Sequence, residues 1–126
     1  MDRLFFSLGS ASAFLAVAAG AFGAHALKSH LAPDMLAVFD TATRYHLLHV
    51  LAICAAAWGA ARFGHRAFAA AGWLFLAGIV IFSGSLYALA LTGERWLGAV
   101  TPFGGLAFLT GWLCLAVGAY RAPTTR

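Results

Sequence analysis

Four long apolar stretches divide the chain, and short polar segments separate them. A helix needs about 20 residues to cross about 30 Å of hydrocarbon, because it rises about 1.5 Å per residue. The stretches therefore predict four transmembrane helices, over about residues 4–27, 33–61, 67–91 and 101–120. These helices use nearly the whole chain, so we expect one all-α domain over residues 1–126, an integral membrane four-helix bundle.

The polar segment before the second apolar stretch has helical character of its own. Pro33 suits a first helical position, and Leu36, Phe39 and Thr43 follow at steps of three and four. We therefore expect the second helix to begin near Pro33 and to lie partly along the membrane surface before it enters the bilayer. With the orientation argued below, Tyr45, His46 and His49 are expected in the outer third of this helix.

Composition agrees with a membrane protein. The 126 residues are 63% apolar and 10% charged, and the mean hydropathy is +0.87. Soluble domains have about 45–50% apolar and about 25% charged residues. A soluble enzyme, a disordered tail and a disulfide scaffold are therefore excluded. Ala24-His25-Ala26 imitates a signal-peptide cleavage site, but the apolar run before it is about twice the usual length, so a membrane helix is expected.

The distribution of positive charge predicts the orientation. The formal charge is +4, from eight Lys and Arg against four Asp and Glu. These basic residues are scattered and form no run, which argues against a nucleic-acid partner. More of them flank the termini and second loop than the other two loops, which predicts a multi-pass membrane protein with both termini in the cytoplasm. The two sets are Arg3, Arg62, Arg66, Arg121 and Arg126, against Lys28, Arg44 and Arg95.

Each predicted helix carries small residues at helical spacing. Close packing of helices in lipid requires such residues. Gly104, Gly111 and Gly118 repeat at heptad spacing, which predicts close backbone approach on the fourth helix. The predicted packing glycines are Gly20, Gly23, Gly78, Gly84, Gly104, Gly111 and Gly118. These stripes favour an accessory or scaffold protein that contacts the lipid bilayer and either self-associates or joins a larger membrane complex.

The polar residues within the apolar stretches gather toward one predicted end of the bundle. Polar groups at bilayer depth are costly, so they mark packing contacts or sites. The set forms a candidate polar layer in the outer leaflet: His25, Tyr45, His49, Ser83, Ser85, Tyr87 and Thr101. In one interpretation, His49 is a buried neutral imidazole bonded to Ser85 or to a backbone carbonyl. In another, His25, His49 and the serines line a pocket for a ligand, a quinone or a proton.

Catalytic and metal chemistry has little support in the sequence. The acidic residues are confined to loops, so no Ser-His-Asp set and no mid-membrane carboxylate is visible. Cys54 and Cys114 occupy apolar runs without a metal-ligand spacing. Two histidines could ligate haem, but tight glycine seams conflict with room for the macrocycle. We expect no enzyme, no metal, no cofactor and no catalytic residue.

Several motifs carry a family resemblance. They are residues 20–27 (GAFGAHAL), 45–49 (YHLLH), 82–91 (FSGSLYALAL) and 101–105 (TPFGG), followed by Gly111-Trp112. In this order they resemble the YgdD/transmembrane-protein-256 family of small membrane proteins. The resemblance implies a four-helix protein of the bacterial inner membrane, or of a mitochondrial membrane in eukaryotes. It supplies no activity, substrate or cofactor, and His46 is not among its motif residues.

Two functions follow as expectations. The leading one is a non-enzymatic accessory or scaffold component that packs through small-residue seams. The alternative is a binder or transporter of a small molecule, such as a lipid or quinone, at the polar layer around His25 and His49.

Overall fold

Four helices long and apolar enough to cross a membrane form the computed structural model, which describes residues 1–123. They confirm the predicted all-α membrane architecture, and each lies within two residues of its predicted bounds. Arg126, counted above for orientation, lies outside the described residues. The elements are α1 (Asp2–His25), α2 (Pro33–Phe63), α3 (Arg66–Gly78), a π-helical turn (Ile79–Ser83), α4 (Gly84–Thr92) and α5 (Thr101–Arg121). The segment from α3 through α4 is one continuous membrane span, Arg66–Thr92, called the third span below.

Local chemistry explains where these helices begin and end. Pro33 occupies the start of α2, where its missing N–H costs no hydrogen bond. The C-caps of α2 and α4 are Gly64 and Gly93, with φ of 67° and 75°, a conformation that glycine adopts without steric cost. The His65 side chain accepts a hydrogen bond from the Ala67 amide and so caps α3. Short 3₁₀ helices at Leu27–Ser29 and Arg95–Ala99 complete the two loops at one end.

The central elements are α2 and the third span. Helix α1 packs mainly against α2, and α5 packs mainly against the third span. The core between the helices contains fully buried side chains from α1, α2 and α3, including Phe5, Ile53 and Phe75. Both peripheral helices keep an exposed apolar face, as expected for a protein surrounded by lipid.

The start of α2 belongs to the same helix that runs through the bundle. Helix α2 is continuous over 31 residues, and its first turns already pack within the bundle. Phe39 contacts Gly23 of α1 and lies 5.0 Å from the Tyr87 ring of α4. Further along α2, His46 lies opposite Ser12 of α1, and His49 lies opposite Phe108 and Trp112 of α5.

Glycines of α5 and phenylalanines of the third span interlock in a constant antiparallel register. A Cβ at Gly111 would lie 2.6 Å from the Phe75 ring, and one at Gly118 would lie 3.2 Å from the Phe68 ring. The same register places Gly104 against Phe82 and, with the roles reversed, Gly78 against Phe108. A step of seven residues along α5 matches a step of seven along its neighbour. The predicted heptad seam thus holds the fold together internally.

The other predicted packing glycines divide into two groups. A Cβ at Gly20 would lie 3.2 Å from the Thr43 methyl, and one at Gly23 would lie 2.8 Å from the Phe39 ring. Both glycines therefore allow α1 to approach α2 closely. Gly84 does not belong with them, because the nearest atom to its added Cβ would be a carbonyl oxygen of its own span, 3.9 Å away. Gly84 therefore does not allow a close approach of another helix.

Candidate functional site

His49 lies between α2 and α5, enclosed by aromatic rings. Its imidazole stacks on Phe108 with ring centroids 3.5 Å apart and planes 6° apart. The Trp112 indole lies edge-on at 6.0 Å. His49 is 3% exposed, whereas Trp112 is 42% exposed. The tryptophan thus separates the imidazole from the lipid-facing surface.

Two hydrogen bonds determine the tautomer of His49. The Trp112 indole N–H donates to Nε2 of His49 at 3.2 Å, and an indole nitrogen can only donate. Nε2 therefore carries no proton, and Nδ1–H donates to the Tyr45 carbonyl at 2.7 Å. Both ring nitrogens are satisfied in a neutral imidazole. This arrangement agrees with the predicted bond to a backbone carbonyl and not with the alternative bond to Ser85.

His46 is the centre of a second polar chain, which links α1, α2 and α4. Its Nε2 lies 2.9 Å from the Ser12 hydroxyl, and its Nδ1 lies 3.0 Å from the Tyr87 hydroxyl. Tyr87 lies 3.5 Å from the Thr43 hydroxyl, which donates to the Phe39 carbonyl. A hydroxyl has one proton to donate. Because Thr43 donates to the Phe39 carbonyl, it accepts from Tyr87, and Tyr87 in turn accepts from Nδ1–H of His46. The Nε2 atom of this neutral imidazole then accepts from Ser12.

The predicted serines form two further contacts between helices. Ser83 is fully buried in the π-helical turn and donates to the Ala42 carbonyl of α2 at 2.9 Å. Ser85 and Thr101 bring their hydroxyl oxygens within 2.6 Å, which joins α4 to the start of α5. Ser85 also donates to the Phe82 carbonyl. These hydroxyls tie neighbouring helices together at one level of the bundle.

The remaining predicted site residues are only partly engaged. Tyr45 is 41% exposed, and its ring packs on Phe82 at 4.8 Å. His25 ends α1, is exposed, and makes no side-chain hydrogen bond to a described residue. In the antiparallel pairing, Gly20 faces Thr43 and Gly23 faces Phe39, so His25 lies beyond the level of both histidines of α2. The structure does not bring His25 and His49 into one pocket.

Sequence reasoning missed part of the polar interior. Ser12 and Trp112 were not proposed as hydrogen-bond partners, and His46 was not placed in the candidate layer. The spacing of three residues between His46 and His49 could have indicated this interior, because it puts two imidazoles on adjacent sides of α2. Within residues 1–123, every buried side-chain nitrogen or oxygen has a hydrogen-bond partner. The polar groups therefore serve helix contacts.

The described part of the chain contains no cluster of three or more His, Cys, Asp or Glu side chains able to hold a metal ion. Cys54 and Cys114 are free and half-buried. The Cys54 sulfur would lie 3.2 Å from a Cβ at Gly9, so it packs against α1. Both cysteines occupy helix contacts.

A groove of about 520 Å³ opens between the end of α1 and the start of α2. Gly20 and Gly23 form one wall, and Phe39 and Thr43 form part of the other. Lys28 and Asp40 contribute charged groups to the same groove. Neither His25 nor His49 is among its lining residues. Its volume lies in the range of small-ligand sites, about 300–1,000 Å³.

Comparison with known proteins identifies uncharacterised membrane proteins. A family described as "Protein of unknown function (DUF423)" matches residues 19–105. The chain is 43% identical to UPF0382 membrane protein YwdK of Bacillus subtilis, over 94% of this chain and 98% of the relative. It is 39% identical to a UPF0382 membrane protein of Haemophilus influenzae, over 98% of this chain and 99% of the relative. No solved structure is significantly similar.

Proposed function

We propose a role for this chain from the premise that it belongs to the DUF423 family of membrane proteins, whose function is unknown. The chain is a non-enzymatic accessory or scaffold component that packs against another transmembrane helix through the outer face of α1. The partner is a second copy of the chain. The observation that carries the proposal is a stripe of small, exposed residues on that face.

The outer stripe of α1 contains four small residues, Ser7, Ala11, Ala18 and Ala21, with the exposed ring of Phe14 between Ala11 and Ala18. All four are exposed, and their spacing of four, seven and three residues keeps them on one side of the helix. Small residues allow two transmembrane helices to approach closely, so they are enriched where helices meet. The stripe faces away from α2 and has no partner among the described residues.

Helix α5 provides the internal comparison. Its outer face carries bulky side chains, including Leu106, Leu109 and Leu113, which are 61%, 64% and 66% exposed. Leucines at such positions suit contact with acyl chains. Helix α1 also exposes bulky side chains, including Phe14 and Leu15, so the two helices differ only in the small residues that line one side of α1.

Ser7 adds a polar argument for the same face. Its hydroxyl is exposed and makes no hydrogen bond to a described residue, whereas Ser10 donates to the Phe6 carbonyl at 2.8 Å. An unpaired hydroxyl in an apolar environment costs free energy. A neighbouring helix can supply the missing partner. The internal glycine seams do not contribute to this association, because phenylalanines of the same chain already fill them.

Disulfide crosslinking in native membranes tests the proposal. The background carries Cys54→Ala and Cys114→Ala, so that only introduced thiols react. We expect oxidation to produce covalent dimers of Ala11→Cys and Ala18→Cys. The matched controls Leu109→Cys and Leu113→Cys, on the lipid-facing side of α5, remain monomeric.

Other results have defined meanings. Equal crosslinking of the α1 and α5 variants contradicts the proposed face. If the α1 variants give no dimers, a photo-crosslinking residue at position 18 distinguishes the remaining cases. An adduct with another membrane protein would show that the partner is a different protein and not a second copy. Absence of any protein adduct would overturn the scaffold proposal.

The proposal also includes the membrane, the orientation and the closer family of the chain. We place the chain in the cell inner membrane, with both termini in the cytoplasm, on the charge asymmetry of its loops. The motifs quoted above also support the closer identification with YgdD and transmembrane protein 256. The lack of a mid-membrane carboxylate among the sequence motifs supports a role without catalysis.

A further inference from the structure

The groove between the end of α1 and the start of α2 combines apolar walls with charged groups. Its walls contain Gly20 and Gly23, which have no side chains, and the apolar surface of Phe39. Gly23 lies against the Phe39 ring. The two glycines leave room for an apolar chain along α1, beside the charged groups of the groove.

Charged groups of both signs are available in the groove. Lys28 is exposed, lines the groove and makes no ion pair with a described residue. Asp40 accepts a hydrogen bond from Arg44 on its Oδ2 at 2.9 Å. Oδ1 of Asp40 accepts none from the described residues. One ammonium donor and one carboxylate acceptor therefore remain unused in the same groove.

The groove lies at the level of the bundle where lipid headgroups are expected. Thr101 begins α5 at the level of Ser85, and Ser83 bonds to Ala42 of α2. The first turns of α2, including Pro33, therefore extend past the start of α5. Lipid headgroups lie in the interfacial region, directly outside the hydrocarbon. A groove at this depth can therefore contact both the headgroup and the first part of an acyl chain.

We propose that this groove binds a zwitterionic membrane phospholipid with a primary amine, phosphatidylethanolamine. Lys28 pairs with the lipid phosphate, and Oδ1 of Asp40 accepts a hydrogen bond from the lipid ammonium. An acyl chain follows the glycine wall. This inference does not depend on association through α1.

The charge pattern distinguishes phosphatidylethanolamine from other common lipids. Phosphatidylglycerol has the phosphate but no cation, so Asp40 would face a net anionic headgroup. Phosphatidylcholine has the cation but no N–H, so it cannot donate a hydrogen bond to Asp40. Only a headgroup with both a phosphate and N–H donors uses both free groups.

Lipid binding to the purified full chain tests this assignment. Native mass spectrometry in detergent measures the affinity for phosphatidylethanolamine, phosphatidylglycerol and phosphatidylcholine, each added separately. The wild-type chain is expected to prefer phosphatidylethanolamine. Lys28→Gln and Asp40→Asn are each expected to weaken that binding about tenfold, as is typical for the loss of a charged hydrogen bond. Arg95→Gln, which removes an exposed charge in the other loop at this end, is the matched control and leaves binding unchanged.

A second variant tests the groove without changing charge. Ala37 is exposed and lines the groove, so Ala37→Leu fills it; Ala119→Leu, at an exposed position of α5, is its control. We expect loss of binding only for Ala37→Leu, with both variants still folded by circular dichroism. Equal affinity of the wild-type chain for all three lipids overturns the assignment. So does unchanged binding in Lys28→Gln and Asp40→Asn. If the wild-type chain and Asp40→Asn both prefer phosphatidylglycerol, the assignment is also overturned, because the groove then only attracts anionic lipids.

Discussion

Gly104 of α5 lies directly against the backbone of Phe82, and a Cβ added there would overlap the Phe82 amide nitrogen. The contact is with main-chain atoms of the π-helical turn, so no side-chain rotation can relieve it. Overpacking of this kind costs about 1–3 kcal/mol. Gly104→Ala is therefore expected to lower the unfolding temperature in detergent, despite the higher helix propensity of alanine.

Gly105 provides the matched control for that substitution. A Cβ at Gly105 would meet only the Phe82 side chain, at 3.9 Å. Because alanine is favoured over glycine in a helix by about 1 kcal/mol, Gly105→Ala should leave stability unchanged or raise it. Equal unfolding temperatures for the two alanine variants would show that α5 and the π-helical turn are not in close contact.

Much of this interlock was predictable from α5 alone. The heptad of Gly104, Gly111 and Gly118 predicts a close approach, and the structure provides one. The complementary half, with Phe82 and Phe75 seven residues apart on the third span, was also present in the sequence. It was not identified, because bulky aromatic residues at helical spacing are common in any membrane helix. Pairing the two repeats requires the antiparallel register, which becomes evident only when the helices are assembled.

Trp112 is expected to stabilise the bundle through its N–H bond to His49. Trp112→Phe retains an aromatic ring but removes the one donor that Nε2 of His49 has among the described residues. Interhelical hydrogen bonds in membranes contribute about 0.6 kcal/mol on average and up to about 1.7 kcal/mol. We expect the variant to lose free energy of unfolding within that range, measured by reversible unfolding in mixed micelles.

Trp96→Phe controls for the general effect of replacing tryptophan. Trp96 is 64% exposed in the loop before α5, and it makes no hydrogen bond to a described residue. Its replacement should have little effect on stability. His49→Gln and His49→Ala extend the test, because glutamine can keep an acceptor for the indole N–H and alanine cannot. A more stable alanine variant would argue against a structural role for this bond.

The chain through His46 is expected to behave as one cooperative unit. Ser12→Ala and Tyr87→Phe remove its two neighbours on different helices. Hydrogen bonds in a chain polarise one another, so the first loss weakens the second bond. The double variant should therefore lose less stability than the two single variants together, with a coupling energy of at least about 0.5 kcal/mol.

Ser10→Ala is the matched control for Ser12→Ala in this cycle. Ser10 lies two residues away on the same helix, and its hydroxyl is bonded locally to the Phe6 carbonyl. Its effect should add to that of Tyr87→Phe without coupling. If Ser12→Ala also adds independently, the imidazole does not transmit an effect between α1 and α4.

The partners of His46 show where reasoning from the sequence was insufficient. Hydropathy correctly identifies the membrane helices, because length and apolar content are local properties. The partners of a buried side chain depend on how neighbouring helices are aligned, which no single apolar stretch specifies. The structure pairs His46 with Ser12, near the middle of α1, and with Tyr87 of α4. Ser12 itself had no distinguishing signal among the small residues of α1.

The arrangement of the loops makes a final prediction about orientation. The loops containing Ser29 and Ala99 lie at one end of the bundle, and Ala122 follows α5 at the other. The excess of Arg on the terminal side predicts that this side is cytoplasmic. In the background without native cysteines, Ser29→Cys and Ala99→Cys should react with a membrane-impermeant maleimide on intact cells with a permeable outer envelope. Ala122→Cys should react only after lysis. Reversed labelling would contradict the orientation, and labelling of Ser29→Cys and Ala99→Cys from opposite sides would contradict the four-span topology.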